Sequence, residues 1–534
     1  MKNKLIILSL ILTLGFSSCG NFLDLEPVDG VTVTKFWKNK EEVKAALMGC
    51  YASMMQTGVM NNFVIWGELR GDLVKPRVSG ANISTMSQFQ NGDISSTMSY
   101  CNWGDIYTVI NNCNTVLNFA KETQKIDESF TDQLLAQYEA EAKSIRALMY
   151  FYLVRNFKDV PYITSASLSD NQDYRVPKSD GMQILDSLIT DLKSVDRAEN
   201  GSNFGVPFNH GTDVKENKGR FTVWSVKALL ADIYLWKDDY ENVIKQCDQI
   251  IGSGQFTLVP VANTEVEYID LYGNKSNVYY PNEGDADNLF LSMYANGNSV
   301  ESILELQFGT DFGNPFYNMF NPVNGTMTAN MDAIAPLFTA SALDRAWYDI
   351  RGEGIDFKQG YVWKWIGLSR STYTYRTYDM SFSNWIFYRY ADILLMKAEA
   401  LCQLGKSSGN QEELKQSLEL VKEIRSRACA PESTNEIQDE NNIGGNELEK
   451  FILNERAREF AHEGKRWYDV LRNAKRNDYA GIGYLEELAS YAANIDKVLS
   501  LQNKWKGDYN SHYLPIAESE LRTNKALTQN PFYK

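Results

Sequence analysis

The sequence is poor in features that several functional classes require. Its 534 residues include only three histidines, and 53 lysines and arginines against 68 aspartates and glutamates give a formal net charge of −15. A nucleic-acid partner is not expected, because the chain has no excess of positive charge to replace the counterions around a phosphate backbone. Neither a P-loop nor a GxGxxG fingerprint occurs, so the sequence gives no reason to expect a nucleotide cofactor, and we expect no cofactor of any kind.

Cysteine is also scarce, and its spacing excludes an obvious zinc site. The seven cysteines form no CxxC pair and have no histidine nearby. Six are spread through the body of the chain: Cys50, Cys101, Cys113, Cys247, Cys402 and Cys429. A disulfide between Cys101 and Cys113, the closest pair, stays open for an exported protein. We expect buried free thiols instead, because several of the six fall on apolar faces of predicted helices.

The apolar run that matters most lies at the start of the chain. Two lysines precede a nearly unbroken apolar stretch at residues 5–16, and two serines then lead into Cys19. This order is that of a secretory signal, and small residues before a cysteine indicate a bacterial lipobox, in which Cys19 is lipidated after residues 1–18 are removed. An ordinary signal peptide cut nearby is the alternative. Because no later stretch is apolar enough to span a bilayer, we expect the lipid to anchor the mature chain.

Most of the remaining sequence has the apolar periodicity of amphipathic helices. Residues 220–254 predict two helices joined by a short turn, with small Ala228 and Ala231 on the first, and residues 390–428 repeat this form. Small residues that let two helices approach closely are typical of tetratricopeptide units. Weaker pairs are 41–57 with 103–122, and 134–157 with 181–194. The sequence therefore predicts an all-α, tetratricopeptide-like repeat scaffold.

Two regions break the helical pattern and hold the candidate binding residues. Residues 58–102 are rich in glycine, asparagine, serine and methionine, and residues 255–384 in asparagine, glycine, proline and aromatics. Loops on a rigid frame often carry binding, aromatic faces stack on sugar C–H groups, and charged side chains bond hydroxyls. The candidate ligand-binding residues are Trp66, Asp72, Arg77, Phe89, Tyr100, Phe316, Tyr317, Trp363, Trp365, Tyr373 and Tyr375. Core packing is the alternative for each aromatic.

The segment NEGDADN at residues 282–288 carries closely spaced oxygen donors. It lacks the twelve-residue pattern of an EF-hand, so a solvated turn is favoured over a calcium site. The sequence therefore predicts no metal site.

The stretch NERAREFAHEGKRWYDVLR, residues 454–472, looks at first like an active site because it places His462 beside Glu463. It has no second histidine four residues on, so it is not a zinc-protease helix. Gly464 falls where a helix can end in a left-handed cap. We expect no catalytic residue here, and His462 to catalyse nothing.

The charges of the same stretch favour architecture over chemistry. Glu455 and Glu459 lie one helical turn apart, with Arg456 and Arg466 as their expected partners. Structural charge networks are a common source of such clusters. The stretch therefore predicts an internal corner of ion pairs between helices.

Seven segments together resemble the SusD/RagB family of outer-membrane lipoproteins from Bacteroidetes-type bacteria. In chain order they are CGNFLDLEP (19–27), ELRGD (68–72), IRALMYFYLVRNFKDVPYI (145–163), KGRFTVWSVKALLADIYL (218–235), FYRYADILLMKAEAL (387–401), NERAREFAHEGKRWYDVLR (454–472) and YLPIAESELRTNKALTQNPFY (513–533). The resemblance covers nearly the whole chain.

The resemblance implies a SusD-like nutrient-binding protein that is not an enzyme. Such a protein is lipid-anchored, faces the outside of the cell, binds oligosaccharide or polysaccharide, and passes it to a SusC-like TonB-dependent transporter. The family's fold is an all-α, tetratricopeptide-based scaffold with ligand loops inserted away from the repeats. Ligand-contacting residues vary within the family, so it assigns none to this chain.

The resemblance and the residue patterns divide the chain into four parts. They are a signal peptide with lipobox (1–18), an N-terminal helical part (19–254), a loop-rich insertion (255–384) and a C-terminal helical part (385–534). Three alternatives stay open for function: the same scaffold binding peptides, a glycan hydrolase that uses carboxylate pairs on these loops, and a protein adaptor.

Overall fold

The structure is a computed structural model that describes most of residues 36–534. Besides residues 1–35, the parts that lie outside the description are 78–82, 170–171, 173, 270–274, 282–284, 339–348, 354, 368–374, 431–441 and 493. The predicted lipidation site Cys19, the candidate Tyr373 and half of the NEGDADN segment therefore lie outside the described residues.

Helices make up most of the described chain. In the N-terminal half they are α1 (Lys40–Met54), α2 (Thr57–Val64), α3 (Ile83–Gln90), α4 (Gly104–Gln124), α5 (Asp132–Phe157), α6 (Gly181–Val195), α7 (Arg197–Asn200), α8 (Val214–Gly219), α9 (Val223–Trp236) and α10 (Tyr240–Gly252). The later ones are α11 (Asp285–Phe290), α12 (Phe316–Phe320), α13 (Met331–Phe338), α14 (Tyr390–Ser408), α15 (Gln411–Arg427), α16 (Gly445–Glu459), α17 (Arg466–Tyr479), α18 (Gly483–Ala492), α19 (Val498–Gly507) and α20 (Glu518–Thr523).

The described strands are short and pair two by two, always antiparallel. They are β1 (Val74–Pro76), β2 (Asn263–Ile269), β3 (Lys275–Pro281), β4 (Ser302–Leu306), β5 (Met327–Ala329), β6 (Phe357–Lys358), β7 (Tyr361–Val362) and β8 (Trp385–Arg389). The pairs are β1 with β5, β2 with β3, β4 with β8, and β6 with β7.

All four predicted helix pairs are in contact. α1 packs against α4, α5 against α6, α9 against α10, and α14 against α15. Neighbouring pairs are joined in turn, because α4 also packs on α5, and α10 on α14. Ala228 and Ala231 on α9 are fully buried, as close helix packing requires. The all-α, tetratricopeptide-like scaffold is confirmed.

The connection between α14 and α15 shows how the sequence sets a helix boundary. Gly409 follows α14 with φ of +73°, a left-handed conformation that glycine adopts without steric cost. The next residue, Asn410, accepts a hydrogen bond from the backbone N–H of Glu412 at 3.1 Å and so caps α15. Glu412 and Glu413 place negative charge in the first turn, where the helix dipole favours it.

The region after α10 is fastened to the scaffold by a strand pair and by aromatic rings. β4 pairs with β8, which runs directly into α14. Beside this pair, the ring centroid of Phe316 lies 4.9 Å from that of Trp365 and 5.6 Å from that of Trp385. Trp365 and Trp385 stack on each other at 5.6 Å. These rings extend the core of the scaffold, because Trp385 also stacks on Phe63 of α2, with ring centroids 6.4 Å apart.

The six cysteines of the described residues are buried free thiols, as expected. Burial raises the pKa of Cys101 and of Cys402 to about 12, so both thiols stay protonated at neutral pH.

Candidate functional site

Six of the eleven candidate binding residues are buried and cannot touch a ligand in this structure. They are Trp66, Asp72, Phe89, Phe316, Trp363 and Trp365. Trp66 packs its ring against Phe157 and donates its indole N–H to the backbone oxygen of Tyr100 at 2.8 Å. The structure places the five rings in the hydrophobic core and pairs Asp72 with Arg466.

The other candidates are less enclosed. Arg77, Tyr100, Tyr317 and Tyr375 are half-buried, and the last candidate, Tyr373, lies outside the described residues. Tyr100 packs edge-on against buried Phe89, and Tyr375 against Trp363. Only Arg77 among them lines the cleft described below. The structure therefore does not gather the sequence candidates into one site.

Two sequence motifs that lie 394 residues apart interlock. The buried carboxylate of Glu68 accepts hydrogen bonds from the backbone N–H groups of His462 at 3.0 Å and Gly464 at 2.9 Å. The guanidinium of Arg466 donates to both oxygens of Asp72, at 2.7 and 2.9 Å. The ELRGD and EGKRW segments therefore act together as a structural clasp.

Three glutamates and one arginine of residues 454–472 join a buried ion-pair network. Its anions are Glu301, Asp349, Asp356, Glu455, Glu459 and Glu463, and its cations are Arg351, Lys364, Arg389, Arg425, Arg427 and Arg458. Burial opposes ionisation of Glu459, but Arg427 and Arg389 outweigh it and hold the pKa of this carboxyl well below its usual range. The predicted corner of ion pairs is confirmed.

The arginines named from the sequence are not the partners of these glutamates. Arg456 Nε lies 2.9 Å from Asp469 Oδ1, and Arg466 pairs with Asp72. Successive helical residues point about 100° apart, so Arg456 faces a different neighbour from Glu455. The partners came from elements distant in sequence, which helical spacing does not show.

His462 lies inside this architecture and gives a testable pH effect. Burial, followed by the charge of Lys364, lowers the pKa of its imidazole to about 3, so the ring is neutral at physiological pH. The unfolded chain has a histidine pKa of about 6.5 and therefore binds more protons between pH 6.5 and 3. The contribution of His462 to stability is complete above pH 6.5 and is lost as the pH falls.

We expect the stability difference between the wild type and His462→Asn to be about 2 kcal/mol larger at pH 7.5 than at pH 5. Asparagine suits this position because the backbone φ is +66°, a left-handed conformation that asparagine tolerates. Urea unfolding of both proteins at the two pH values measures the difference. The wild type and the variant must be compared at each pH, because burial raises the pKa of Glu68 to about 8. In both proteins Glu68 therefore stabilises the fold at lower pH, opposite to the effect of His462. An equal difference at both pH values would contradict the assignment of a neutral, buried ring.

One segment matches the GxSxG pattern of serine hydrolases, GKSSG at residues 405–409. That motif requires a sharp turn from strand to helix. Here it runs along the last turn of α14, and Ser407 donates its hydroxyl hydrogen to the backbone oxygen of Leu404. The segment is a helix terminus.

A large open cleft lies away from the buried network, with a volume of about 1050 Å³. Its lining comes from three parts of the chain. They are Lys75, Pro76, Arg77, Ile83, Ser87, Gln90 and Asn91; then Thr328, Asn330, Asp332, Gln359, Gly360 and Tyr361; and finally Ser490, Tyr491, Ala492, Asn494 and Ile495. We call this cavity the cleft.

Hydrogen bonds from amide side chains hold the three walls of the cleft in place. Asn330 donates from Nδ2 to the backbone oxygens of Asp72 at 2.8 Å and Tyr491 at 2.9 Å. The backbone N–H of Asn494 donates to Oδ1 of Asn91 at 2.8 Å. The cleft is therefore a preformed feature that each of the three regions helps to fix.

A tight hairpin presents Tyr361 to the cleft. β6 and β7 are joined by Gln359 and Gly360, whose φ values are +50° and +80°, and glycine is favoured at the second position of such a turn. The guanidinium of Arg77 lies 5.7 Å above the Tyr361 ring, and its Nη1 donates to the backbone oxygen of Asn321 at 3.1 Å. Tyr361 is thus held by the turn behind it and the cation beside it.

The lining of the cleft is polar and carries little net charge. Lys75 Nζ lies 3.6 Å from Asp332 Oδ2 at the exposed rim, which leaves Arg77 as the remaining cation. Five residues with amide side chains line the same space: Gln90, Asn91 and Asn330, which are largely buried, and Gln359 and Asn494. Tyr491 and Ile495 add apolar surface, with 41% and 95% exposure. Such a set suits a neutral ligand with many hydroxyl groups.

The candidates named from the sequence include Arg77 but not the tyrosines and apolar residues that line the same cleft. Tyr361 begins the aromatic stretch in which Trp363, Trp365, Tyr373 and Tyr375 were predicted to bind ligand. Tyr491 and Ile495 fell in a part expected to be scaffold. The sequence contained one local indication of an exposed apolar residue: Ile495 stands alone among polar residues in the segment after α18.

Among the residues that the structure describes, no group of three or more His, Cys, Asp or Glu side chains is placed to hold a metal ion. Nor does any described helix combine the length and apolarity needed to cross a membrane.

Comparison with protein families matches both ends of the chain. Residues 344–533 match the SusD family, and residues 21–235 match a family described as "Starch-binding associating with outer membrane". The chain is 27% identical over 505 residues to SusD-like protein P38 of Formosa agariphila, which covers 90% of this chain and 93% of the relative. It is 25% identical over 532 residues to SusD-like protein P2 of the same organism, covering 94% and 96%.

Solved structures share the fold. A SusD superfamily protein from Bacteroides vulgatus superposes with a TM-score of 0.68 at 20% identity, covering 93% of this chain and 100% of that one. One from Bacteroides thetaiotaomicron gives 0.67 at 21% identity, covering 93% and 99%. Through its repeat scaffold, its interlocked motifs and these matches, the chain belongs to the SusD/RagB family, a family of outer-membrane-associated, glycan-binding proteins.

Proposed function

We propose that this protein binds an extracellular oligosaccharide or polysaccharide in the cleft and delivers it to a SusC-like TonB-dependent transporter. The observation that carries the proposal is the cleft itself. Its volume of about 1050 Å³ lies at the upper end of the range for small-ligand sites, which suits a chain of sugar units.

The chemistry of the lining supports a sugar ligand. The Tyr361 and Tyr491 rings offer faces for the C–H side of a sugar, and the amides offer donors and acceptors for its hydroxyls. The small net charge of the cleft lining favours an uncharged glycan over a peptide with charged termini. Starch is one ligand to test, because one of the matched families is described as starch-binding.

Isothermal titration and affinity electrophoresis against starch, other glucans, xylans, mannans and galactans test the proposal. We expect saturable binding to at least one neutral glycan. Binding to oligopeptides with no binding to any glycan would overturn the sugar assignment.

The hydrolase alternative has a direct test. Glycoside hydrolysis commonly uses two carboxyl groups, whereas Asp332 is the one carboxylate among the described residues that line the cleft. Prolonged incubation of the pure protein with its bound glycan is expected to yield no shortened products. Their appearance would favour the hydrolase.

The transporter partner and the surface location complete the proposal. Delivery requires the cleft and the transporter lumen to face each other, and a lipid on Cys19 would hold the protein at the membrane while leaving it free to move. Extraction in mild detergent followed by pull-down is expected to recover a large β-barrel transporter. A soluble-only protein with no such partner would contradict this part.

Replacing Cys19 with alanine is expected to release the protein from the membrane fraction. The acyl chains are the only anchor proposed, and each buried CH₂ contributes about 0.8 kcal/mol to membrane affinity. Fractionation and immunoblotting of wild type and Cys19→Ala measure the effect, with Cys50→Ala as the control because Cys50 is buried in the scaffold. Retention of the Cys19→Ala protein in the membrane fraction would argue against lipidation.

A further inference from the structure

A second open cavity lies at the other end of α19 from the cleft. The cleft ends at Ile495, just before α19, whereas this cavity begins at Gly507, about 15 Å along the helix axis. Its volume is about 570 Å³. It is lined by Lys158, Lys475, Tyr479, Gly507, Asp508, Tyr509, Asn510 and Tyr513, and we call it the tyrosine pocket.

The backbone around the tyrosine pocket holds an unusual conformation. Asn477, Asp478 and Tyr479 follow one another with φ of +49°, +56° and +65°, and Lys158 on the opposite wall has φ of +66°. These are four of the ten described non-glycine residues with positive φ. Left-handed backbone is unfavourable for residues with a Cβ, least so for Asn and Asp, and it concentrates at functional sites.

The strained turn sets up an aromatic platform. It ends the regular part of α17 and brings the Tyr479 ring onto that of Tyr509, with centroids 3.7 Å apart and planes inclined by 20°. Tyr509 is 39% exposed, so part of the stacked pair stays open to solvent. An exposed, fixed aromatic face is suited to stacking against a sugar ring.

Two lysines border the platform. Among the described residues, no carboxylate lies within 4 Å of Lys158 or Lys475, although the chain as a whole is acidic. Lys158 Nζ lies 3.4 Å from Asn510 Oδ1 and 6.0 Å from the centroid of the Tyr513 ring. Lys475 donates to the backbone oxygen of Trp236, and its Nζ lies 4.9 Å from the centroid of that residue's ring. Burial, with added repulsion from Arg476, lowers the pKa of Lys475 to about 8 despite the attraction of Asp238. Each ammonium has donors left for a ligand.

The one carboxylate in the lining is already engaged. Asp508 Oδ1 accepts from the backbone N–H of Asn510 at 2.8 Å and from its Nδ2 at 2.9 Å. It thereby caps the short 3₁₀ turn Tyr509–His512 and forms no ion pair with either lysine. The pocket therefore combines a sugar-sized aromatic face with two cations that form no ion pair among the described residues.

We propose that the tyrosine pocket is a second binding site, separate from the cleft, for an acidic saccharide unit bearing a carboxylate or a sulfate. The sugar ring packs on Tyr509, and the anionic group meets Lys158 and Lys475. This site differs from the cleft in ligand class, because the cleft pairs its lysine with Asp332 and offers mainly amides. The proposal does not depend on what the cleft binds.

Isothermal titration of the whole mature protein with a galacturonic-acid tetramer, its fully methyl-esterified form and a sulfated galactose tetramer tests the proposal. We expect at least one acidic tetramer to bind saturably, and the neutral ester to bind about tenfold more weakly than its acid form. Lys158→Gln and Tyr509→Ala are each expected to weaken the acidic probe about tenfold. Equimolar inorganic sulfate should not displace the acidic tetramer, because sulfate has no sugar ring to pack on Tyr509.

Matched variants separate this site from others. Lys506→Gln, an exposed lysine on α19 that pairs with Glu486, and Tyr174→Ala, a tyrosine of similar exposure elsewhere, should leave binding unchanged. Tyr361→Ala in the cleft should also leave it unchanged. Lys158→Gln alters only an exposed side chain, so it decides the matter if Tyr509→Ala fails to fold. Absence of binding by both acidic tetramers, equal binding of the ester, or loss with Tyr361→Ala in place of the pocket variants would overturn the proposal.

Discussion

Replacing Glu459 with alanine is expected to lower the free energy of unfolding by about 3–5 kcal/mol. Its carboxylate contacts Arg351 at 2.8 Å, Arg389 at 2.5 Å, and Arg427, and all four side chains are buried. Each of the three guanidinium groups keeps another carboxylate, but removing the shared one leaves the network with one more uncompensated positive charge in a medium of low polarity, which is costly. Urea unfolding followed by circular dichroism measures the change.

Two companion variants show whether charge or volume is responsible. Glu459→Gln keeps the shape of the side chain but removes its charge. It should therefore lower the free energy of unfolding by more than half as much as Glu459→Ala does. Glu419→Ala is the control, since Glu419 is exposed and lies 3.6 Å from Lys422, and we expect less than about 0.5 kcal/mol. A Glu459→Ala protein as stable as Glu419→Ala would contradict the structural role of the network.

Replacing Tyr361 with alanine is expected to weaken glycan binding about thirtyfold, or ~2 kcal/mol, without unfolding the protein. The ring is the aromatic face that the hairpin and Arg77 hold in the cleft, and a fixed ring loses little entropy when a ligand stacks on it. Titration with the tightest-binding member of the glycan panel measures the effect. Tyr491→Ala, across the cleft, should give a smaller loss because that ring is more exposed and less confined.

The control for the cleft is Tyr174→Ala, an exposed tyrosine that does not line it. Its binding constant should equal that of the wild type. If Tyr361→Ala also bound as tightly as the wild type, the ligand would lie elsewhere and the cleft would lose its proposed role.

The scaffold was predictable because its signals are local. Apolar residues at helical spacing and small residues such as Ala228 identify the packed pairs, and Gly409 marks a helix end. The charged stretch 454–472 was correctly assigned to architecture for the same reason: its spacing is helical. Its true partners, such as Arg351 and Arg389, come from other elements, so the pairings required the fold.

The candidate site was much less predictable, because burial is a property of the fold. Trp363 and Tyr361 stand two residues apart in one aromatic stretch, yet the first is fully buried and the second lines the cleft. The hairpin turn at Gly360 and the packing of Trp363 against Tyr375 decide between them. Likewise, Ile495 lines the cleft beside Asn494, whose backbone N–H donates to Oδ1 of Asn91, a residue 403 positions earlier in the chain.

A crystal structure of the protein with the oligosaccharide that binds most tightly tests the central claim most directly. The account predicts sugar density in the cleft, with one ring stacked on Tyr361 and hydroxyls bonded to amides such as Asn91 or Gln359. Density confined to another surface, with the cleft holding only solvent, would contradict it.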